Sequence, residues 1–413
     1  MRRDSPPHRM IPPAPIAILF NMKNTPSRLP LADFLALIDR RINPLSVETV
    51  PPQEAAGRAI ARDAVAVADV PGFDRAAMDG YAVRSSDTGA RSVVGDSFPA
   101  RPFSGTLSSG QAVRVMTGAP LPSGADAVVP FEEGDPAGLP PISAGKNVGR
   151  RGEDVVAGRL LFRAGRVLRP QDVALLVSSG VASVFVHRTP RISILVTGDE
   201  LLPVGSLPSG YRIVDSNSVM LSALVKRDGG EPDVAPIVSD RRDAIRDALL
   251  MADGDLVFIC GGSSVGLEDH SHRVMADEGQ LLAHGVALRP GAPTGFGEHR
   301  GRFVFLLPGN PVSCLCAFDL FAGRALRRMV GRGMELPYVS VQVPLAETVE
   351  SKAERVDYVR VTLESGHARP LSVRGASVLS TTTTADGFFL VPHEAANVTA
   401  GEIVRVYLYD TRR

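Results

Sequence analysis

Apolar and polar positions repeat with two different periods along the chain, and the change of period divides the chain into regions. Between residues 189 and 332, short apolar runs are separated by segments of about 10 to 15 residues with helical spacing. Strands that alternate with helices of this length are typical of a parallel sheet with right-handed crossovers. The pattern predicts an α/β domain with strands at RISILV (191–196), 234–238, LVFIC (256–260), VALRP (286–290) and FVFLL (303–307).

Polar residues at the ends of these strands mark the predicted helix starts. Helices are expected to begin near Asp215, Asp240, Glu268 and Asn310, and the last of them to run to about Val330.

Short alternating runs are found on both sides of this domain. Residues 84–155 are rich in Gly, Pro and Val, which indicates a β-rich domain. From residue 336 onward, alternating runs are separated by turn residues, which predicts a small barrel or sandwich. Helical spacing predicts further helices at Leu31–Ile42 and Gln171–Ser179, and within 50–66 a helix that runs into extended chain.

The composition indicates a globular protein of several domains. The length of 413 residues exceeds what one core usually holds. Lys plus Arg equals Asp plus Glu at 45 each, and Trp is absent, so no basic field or base-stacking platform favours nucleic acid. Cys260, Cys314 and Cys316 lie in apolar stretches and are predicted to be buried, reduced thiols in a reducing compartment.

Neither a membrane span nor a secretion signal is expected from the apolar pattern. All apolar runs are shorter than the roughly 18 to 20 residues that cross a bilayer. Prolines interrupt the N-terminal apolar stretch Ala14–Phe20, and no small-residue cleavage site follows it. Residues 1–27 are therefore predicted to be a disordered extension, and the protein is expected in the cytoplasm without membrane association.

Three polar, glycine-containing loops follow predicted strands of the α/β domain, namely VTGDE (196–200), CGGSSVGLED (260–269) and LLPGNPVS (306–313). The carboxyl ends of parallel strands meet at one sheet edge, where such folds bind ligands. Backbone N–H groups near glycines and at helix starts attract anions. The three loops therefore indicate a phosphorylated ligand, with plain structural turns as the alternative. A Walker A lysine and a GxGxxG motif are both absent, which disfavours a dinucleotide fold.

Acidic residues near these loops indicate a divalent cation. Glu200, Asp240 and Asp269 are expected at one sheet edge, and Asp154 adds a carboxylate from another domain. Carboxylates repel a bound phosphate unless a cation lies between them, and Mg²⁺ binds one or two carboxylates together with phosphate oxygens. The alternative is that Asp240 only caps a helix and that Asp199 is only a turn residue.

Six motifs occur in one order along the chain. They are FDRAAMDGYAV (73–83), RVMTGAPLPSGADAVVP (114–130), NVGRRGEDV (147–155), TGDEL (197–201), GGSSVGLED (261–269) and LPGNPVS (307–313). Together they closely resemble the molybdopterin molybdotransferase family, which includes the E domain of gephyrin. The resemblance covers roughly residues 30–413.

The resemblance implies an elongated homodimer with four parts per subunit. These are a discontinuous linking domain (28–50 and 155–188), a β-rich inserted domain (51–154), a three-layer α/β molybdopterin-binding domain with a parallel sheet (189–332) and a C-terminal β-barrel (333–413). The implied reaction inserts molybdenum from molybdate into adenylylated molybdopterin with the help of Mg²⁺ and releases AMP. Implied partners are a molybdopterin adenylyltransferase and the molybdoenzymes, or their chaperones, that receive the product.

The family pattern nominates site residues in two domains. It assigns metal binding to Asp154, Glu200, Asp240 and Asp269, and catalysis to Asp74, Asp154, Glu200 and Asp269. Substrate contacts are expected from Thr117, Gly261, Gly262, Ser263, Ser264, Gly266, Arg289, Pro308, Pro311, Ser313 and Arg355. Because the inserted domain, which carries Asp74 and Thr117, reaches the partner subunit in this family, the site is expected to span the dimer interface.

Two departures from the family pattern fall where the family collects molybdate. The usual K-P-G-K-P reads RPGAP (289–293), so Arg289 replaces one lysine and Ala292 the other, and Ala376 stands where a serine is expected. Fewer donors bind a divalent oxyanion more weakly. The departures motivate a second hypothesis, in which a protein of the same fold binds or carries finished cofactor, or docks a client enzyme, without loading molybdate. An adenylylating enzyme is disfavoured because it is normally a lone α/β domain.

Overall fold

The computed structural model of the protein describes residues 28–262, 270–371 and 377–410. The N-terminal part contains α1 (Leu31–Arg41), β1 (Val47–Val50), β2 (Ala64–Val65), β3 (Arg75–Ala76), β4 (Gly80–Val83), β5 (Ser92–Ser97), β6 (Gln111–Val115), β7 (Ala127–Pro130), β8 (Val148–Gly149), β9 (Leu160–Phe162), α2 (Pro170–Ser178) and β10 (Val184–His187). A four-stranded sheet has the order β5-β6-β4-β7. Outside it, β1 pairs with β10 and β2 with β9, so the segments before and after this sheet are joined.

The helix predicted within 50–66 is wrong, whereas the extended chain predicted after it is correct. This stretch contains a short 3-10 turn at Pro52–Glu54 and then extended chain that ends in β2. Pro51 and Pro52 bias the residues before them toward extended backbone, and Gly57 has a φ of 78°, outside the helical region. The apolar residues of the stretch are buried against β9 and α2 instead.

The α/β part contains a mixed sheet of six strands. Its elements are β11 (Arg191–Val196), β12 (Leu201–Leu202), β13 (Ile213–Val214), α3 (Asn217–Asp228), β14 (Glu231–Val234), α4 (Arg242–Met251), β15 (Leu256–Cys260), α5 (Ser271–Glu278), β16 (Gln280–His284), β17 (Leu288–Arg289), β18 (Gly295–His299), β19 (Arg302–Leu307), α6 (Pro311–Ala317), a π-helical turn (Phe318–Ala322) and α7 (Gly323–Met329). The sheet order is β14-β11-β15-β19-β18-β16. The prediction of parallel strands is correct for the first four, whereas β18 is antiparallel to both of its neighbours.

The C-terminal part is a small ring of strands. It contains β20 (Ser340–Pro344), β21 (Val349–Glu350), β22 (Val356–Glu364), β23 (His367–Pro370), α8 (Ser380–Thr384), β24 (Gly387–Val391), β25 (Asn397–Val398) and β26 (Ile403–Leu408). Pairing runs β23-β22-β24-β26-β20. A bridge between Leu345 and Ala368 then connects the end of β20 back to β23, so the pairings describe a small barrel.

The strand predicted at 286–290 does not join the α/β sheet. Only Leu288–Arg289 is a strand, and it pairs in parallel with β22 of the C-terminal barrel. The sheet is completed by β16 and β18, which were not predicted because QLLAH and GFGEH contain no β-branched residues. The RPGAP segment is thereby attached to the barrel.

One apolar core runs through the helix α1, the α/β part and the barrel. The ring of Phe34 on α1 lies 4.7 Å from the ring of Phe321 in the π-helical turn. The same core includes Tyr358 and Phe388 of the barrel. Because these parts share buried side chains, the barrel packs directly on the α/β part.

Candidate functional site

A cleft of about 1090 Å³ lies at the carboxyl ends of the parallel strands. Thr197 follows β11, Gly261 follows β15 and Pro308 follows β19, and all three residues line the cleft. The three loops predicted from the sequence therefore meet, because β11, β15 and β19 are neighbours in the sheet. Open α/β sheets bind ligands at this position.

The two glycines after β15 are required by the backbone around them. A Cβ on Gly261 would lie 2.4 Å from the carbonyl oxygen of Thr197, and the φ of Gly261 is 109°. A Cβ on Gly262 would lie 3.0 Å from Oγ of Ser271. Both glycines line the cleft and let its floor pack tightly. The predicted contacts Ser263, Ser264, Gly266 and Asp269 lie outside the described residues, as does Ala376.

The start of α3 holds the third loop in place. Nδ2 of Asn217 donates hydrogen bonds to the carbonyl oxygen of Gly309 at 2.7 Å and to Sγ of Cys260 at 3.3 Å. Asn217 lines the cleft and was missed by the sequence analysis. The sequence feature that marks this position is the polar run Asp215 to Asn217 directly before apolar residues with helical spacing, and such a run is typical of an ordinary helix cap.

The predicted proline and serine contacts of the third loop also lie in the cleft. Pro308, Pro311 and Ser313 line it, and Pro311 is the first residue of α6. The N-terminal turn of this helix therefore faces the cleft, where its backbone N–H groups favour an anion.

Two carboxylates line the cleft near the ends of β11 and β14. They belong to Glu200 and Asp240. The backbone N–H of Asp199 donates to Oδ2 of Asp240 and that of Asp240 donates to Oδ1 of Asp199, both at 3.3 Å. Asp240 does not cap α4, because that helix begins at Arg242 with Arg241 at the capping position. Its carboxylate is available to the cleft.

Two arginines line another part of the cleft, and a buried carboxylate joins them. The guanidinium of Arg289 donates to Oδ2 of Asp357, and Nε of Arg355 lies 3.0 Å from Oδ1. Oγ of Ser351 also donates to Oδ2 of Asp357, at 2.7 Å. Asp357 is 0% exposed, and the sequence analysis missed it. The two arginines provide more positive charge than this carboxylate cancels, so an anion is favoured beside them.

The pair of carboxylates and the pair of arginines occupy different ends of the cleft. Asp240 follows β14 and Glu200 follows β11, at one edge of the sheet. The RPGAP segment lies over α6, since a Cβ on Gly291 would be 3.6 Å from the carbonyl oxygen of Ser313. α6 follows β19, two strands away from β11. The cleft therefore has an acidic end and a basic end.

The predicted residues of the inserted domain do not line this cleft. Asp74 accepts hydrogen bonds from the backbone N–H of Arg151 at 2.8 Å and from Nη1 of Arg150 at 2.7 Å, and these bonds lower its pKa. Thr117 donates from its backbone N–H and its hydroxyl to Asp79, at 2.6 and 2.8 Å. Asp154 is exposed. One subunit alone does not bring these residues to the acidic end.

The donor set of the acidic end fits a hydrated Mg²⁺ ion. Glu200 and Asp240 supply hard oxygen ligands, and Mg²⁺ usually binds one or two carboxylates and completes its shell with waters and substrate phosphates. Among the described residues, no three His, Cys, Asp or Glu side chains come together as a ready-made metal site. Two carboxylates beside loops whose N–H groups favour an anion are the arrangement expected of a metal that arrives with an anionic ligand.

The cysteines are free and buried, as predicted. Sγ of Cys260 lies 3.7 Å from Sγ of Cys314 beneath the cleft. The hydrogen bond with Cys260 and the burial of the thiol raise the pKa of Cys314. A raised pKa disfavours the thiolate, so the Cys314 thiol is a poor nucleophile and has a packing role.

Within the described part of the chain, every helix is too short or too polar to cross a membrane.

Comparisons with known proteins agree with the resemblance found in the sequence. Three family models match in order: the MoeA N-terminal region (domain I and II) at residues 29–180, a probable molybdopterin binding domain at 193–328, and the MoeA C-terminal region (domain IV) at 342–409. The molybdopterin molybdenumtransferase of Haemophilus influenzae is 33% identical over 381 residues, which cover 88% of this chain and 94% of that protein.

Solved structures show the same architecture. A crystal structure of the molybdopterin biosynthesis MoeA protein from Pyrococcus horikoshii aligns with a TM-score of 0.79 at 32% identity, covering 93% of this chain and 99% of that chain. A second structure from Pyrococcus horikoshii gives a TM-score of 0.75 at 34% identity, covering 92% of this chain and 100% of that chain.

Proposed function

Because this chain belongs to the molybdopterin molybdenumtransferase (MoeA) family, we propose that it inserts molybdenum into adenylylated molybdopterin and releases AMP. Family membership gives the protein a role in molybdenum cofactor biosynthesis as a transferase. The substrate form, the metal dependence, the homodimeric assembly and the cytoplasmic location are our proposals.

The two-ended cleft is the observation that carries this proposal. The substrate presents phosphates, and the cargo, molybdate, is a divalent tetrahedral oxyanion. Loop and helix N–H groups near Gly261 and Pro311 suit the phosphates. The guanidinium groups of Arg289 and Arg355 suit the oxyanion, because planar forks form paired charge-assisted hydrogen bonds. Both anions can be held in one cleft without sharing the same donors.

The acidic end would hold Mg²⁺ through Glu200 and Asp240. When bound there, the ion would neutralise charge on the phosphates as the link to AMP is broken. Through the ion, Glu200 and Asp240 would orient the phosphate link toward an attacking water, whose oxygen would form the new phosphorus–oxygen bond as AMP leaves. The N–H groups at the start of α6, near Pro311, would hold the phosphate on the pterin side of the substrate. Asp269, which comes two residues before α5 in the sequence, is proposed as a further ligand of the same ion.

We propose that a second copy of the chain completes the site. Asp74, Thr117 and Asp154 lie in the inserted domain, away from the cleft of their own subunit. In a homodimer the inserted domain of one subunit would reach the acidic end of the other, where Asp154 would join the metal ligands and Asp74 would act on the substrate. Further partners would be the molybdopterin adenylyltransferase that supplies the substrate and the molybdoenzymes, or their chaperones, that receive the cofactor.

One observation favours a second candidate function. Ala292 lines the cleft where the family usually has a lysine, so one cation is missing from the basic end. A protein of this kind would bind finished cofactor, or dock a client enzyme, without loading molybdate.

Measuring AMP release distinguishes the insertase from the carrier. The protein is incubated with adenylylated molybdopterin and Mg²⁺, with and without molybdate. The insertase releases AMP in a molybdate-dependent manner. Binding of the pterin without molybdate-dependent AMP release supports the carrier and contradicts our proposal.

A further inference from the structure

A buried polar cluster joins α3, the π-helical turn and the C-terminal barrel. Asp319 in the π-helical turn is 0% exposed. Its Oδ1 accepts hydrogen bonds from Nη2 of Arg227 at 3.1 Å and from the hydroxyl of Tyr338 at 3.0 Å. The hydroxyl of Tyr358 on β22 lies 3.4 Å from its Oδ2 and 2.8 Å from the hydroxyl of Tyr409. We call Arg227, Asp228, Asp319, Arg327, Tyr338, Tyr358 and Tyr409 the interdomain cluster.

The charges of the interdomain cluster balance. Asp228 accepts from Nε of Arg227 at 2.9 Å and from Nη1 of Arg327 at 2.6 Å, so two carboxylates face two guanidinium groups. Burial raises the pKa of Asp319, which shows that keeping this carboxylate charged has a cost. Apolar residues of similar volume usually fill such an interface with equal or greater stability. Stability alone therefore does not explain the cluster.

The interdomain cluster is connected to the cleft through three elements. Helix α3 begins with Asn217 in the cleft and ends in the cluster. Helix α6 begins with Pro311 in the cleft, and the π-helical turn that follows carries Asp319. Strand β22 begins directly after Arg355, which lines the cleft, and it carries Tyr358. Because α3 and α6 also pack on the sheet of the α/β part, a shift of the cluster would move the Arg355 end of β22 relative to the starts of α3 and α6.

The π-helical turn places Asp319 in the interdomain cluster. A single helix was predicted from Asn310 to about Val330, but the structure has α6, the π-helical turn and α7. Isolated π-helical turns inside helices are rare and occur often at functional sites. Here the turn buries a carboxylate that holds side chains from α3 and from the barrel.

We propose that Asp319 is a positioning residue that, through Tyr338 and Arg227, fixes the C-terminal barrel on the α/β part so that Arg355 faces the strand-end loops at the right distance for an oxyanion. The acidic end is independent of the barrel, because Glu200 and Asp240 both belong to the α/β part. The cluster therefore controls the basic end selectively. This inference rests on the proposed function only for the identity of the anion as molybdate.

The test compares Tyr338→Phe with a control at a different ion pair, the one between Asp39 of α1 and Arg324 of α7. Tyr338→Phe removes one hydroxyl and keeps a ring that packs against Phe388 and Tyr409. Asp39→Asn is the control, because Asp39 binds Arg324 of α7 at 2.8 Å from helix α1 and does not touch the barrel strands. Asp319→Asn, which keeps the volume and one acceptor, is the second test variant.

Kinetic and binding measurements distinguish an effect on molybdate from an effect on the binding of adenylylated molybdopterin. In Tyr338→Phe and Asp319→Asn, the molybdate concentration for half-maximal AMP release should rise about tenfold, since small misplacements of binding groups have large effects. The dissociation constant for adenylylated molybdopterin should stay within about twofold, and Asp39→Asn should change neither value. Unchanged molybdate dependence, or equal losses in both constants, would overturn the proposal.

A second readout does not need the proposed function. The backbone N–H of Val356 donates to the carbonyl oxygen of Ala287 at 2.9 Å, where β17 meets β22. Hydrogen exchange of this amide should be at least about fivefold faster in Tyr338→Phe than in the parent, and unchanged in Asp39→Asn. If the parent releases no AMP, the proposed function fails and this exchange rate alone decides the positioning role. Equal exchange in the parent and Tyr338→Phe overturns that role.

Discussion

Arg289 and Asp357 connect the α/β part to the barrel: the guanidinium of Arg289 on β17 donates a hydrogen bond to the carboxylate of Asp357 on β22. The carboxylate also binds Ser351 and lies 3.0 Å from Nε of Arg355. A single buried acid thus fixes both arginines of the basic end.

We expect Asp357→Ala to lower the free energy of unfolding by about 3 kcal/mol, because it leaves two partly buried guanidinium groups without their counter-ion. Urea denaturation at neutral pH measures the change. Asp96→Ala is the control, since Asp96 pairs with Arg114 on the surface and should cost less than about 1 kcal/mol. Equal costs for the two variants would contradict the proposed role of Asp357.

Gly261→Ala tests the packing beneath the cleft. A Cβ at this position lies 2.4 Å from the carbonyl oxygen of Thr197, so the strand ends must move apart. The expected loss is about 3 kcal/mol or more, from overpacking together with the positive φ. Gly401→Ala is the matched control, because its φ is 87° and no atom lies within 4 Å of its Cβ. It should cost only about 1 kcal/mol, and similar losses in thermal unfolding would refute the steric account.

Asp172 gives a prediction for acid stability. Its buried carboxylate accepts hydrogen bonds from Arg169 and Arg166, and these bonds lower its pKa. A carboxyl whose pKa is lowered in the folded state stabilises the protein above its unfolded pKa of about 4, and this contribution disappears as pH falls further. Asp172→Asn should therefore be less stable than the parent at pH 7, and the difference should shrink steadily below about pH 4. A difference independent of pH would show that the charge is unimportant.

The acidic end gives a prediction for magnesium. Glu200→Gln and Asp240→Asn should each raise the Mg²⁺ concentration for half-maximal AMP release by about tenfold, because each removes an ionic ligand. Asp199→Asn is the matched control, since Asp199 belongs to the same loop pair and does not line the cleft. It should change the Mg²⁺ requirement by less than about threefold. An equal effect of all three variants would show a general loss of loop structure.

The sequence predicted the parts of the site that depend on local patterns. Strand-end loops with Gly261 and Pro308 were recognisable because an apolar run meets a turn before a helix start, and parallel order brings such loops together. Asp357 could not be predicted, because its contact with Arg289 depends on pairing between a two-residue strand and a strand of another part of the chain. Asn217 has the sequence context of a helix cap, and only the fold places Gly309 beside its amide.

For the fold as well, the elements that depend on local sequence patterns were predicted and those that depend on distant contacts were not. The parallel strands β11, β15 and β19 were correctly predicted, since each contains a run of apolar residues. The strand predicted at 234–238 lies instead at Glu231–Val234, where Glu231 and Asp233 interrupt the apolar pattern. The helix predicted within 50–66 does not form, because the two prolines and Gly57 oppose helical backbone more strongly than the spacing of the apolar residues favours it. The π-helical turn at Asp319 has no sequence signal, because its geometry is set by the buried partners of that carboxylate.

The most direct test of the central claim is a single turnover with a slight excess of protein over adenylylated molybdopterin, in which released AMP and pterin-bound molybdenum are both quantified. We predict about one AMP and one inserted molybdenum per substrate when molybdate and Mg²⁺ are present, and almost no AMP without molybdate. AMP release that is equal with and without molybdate, or molybdenum absent from the pterin product, would contradict the proposed function.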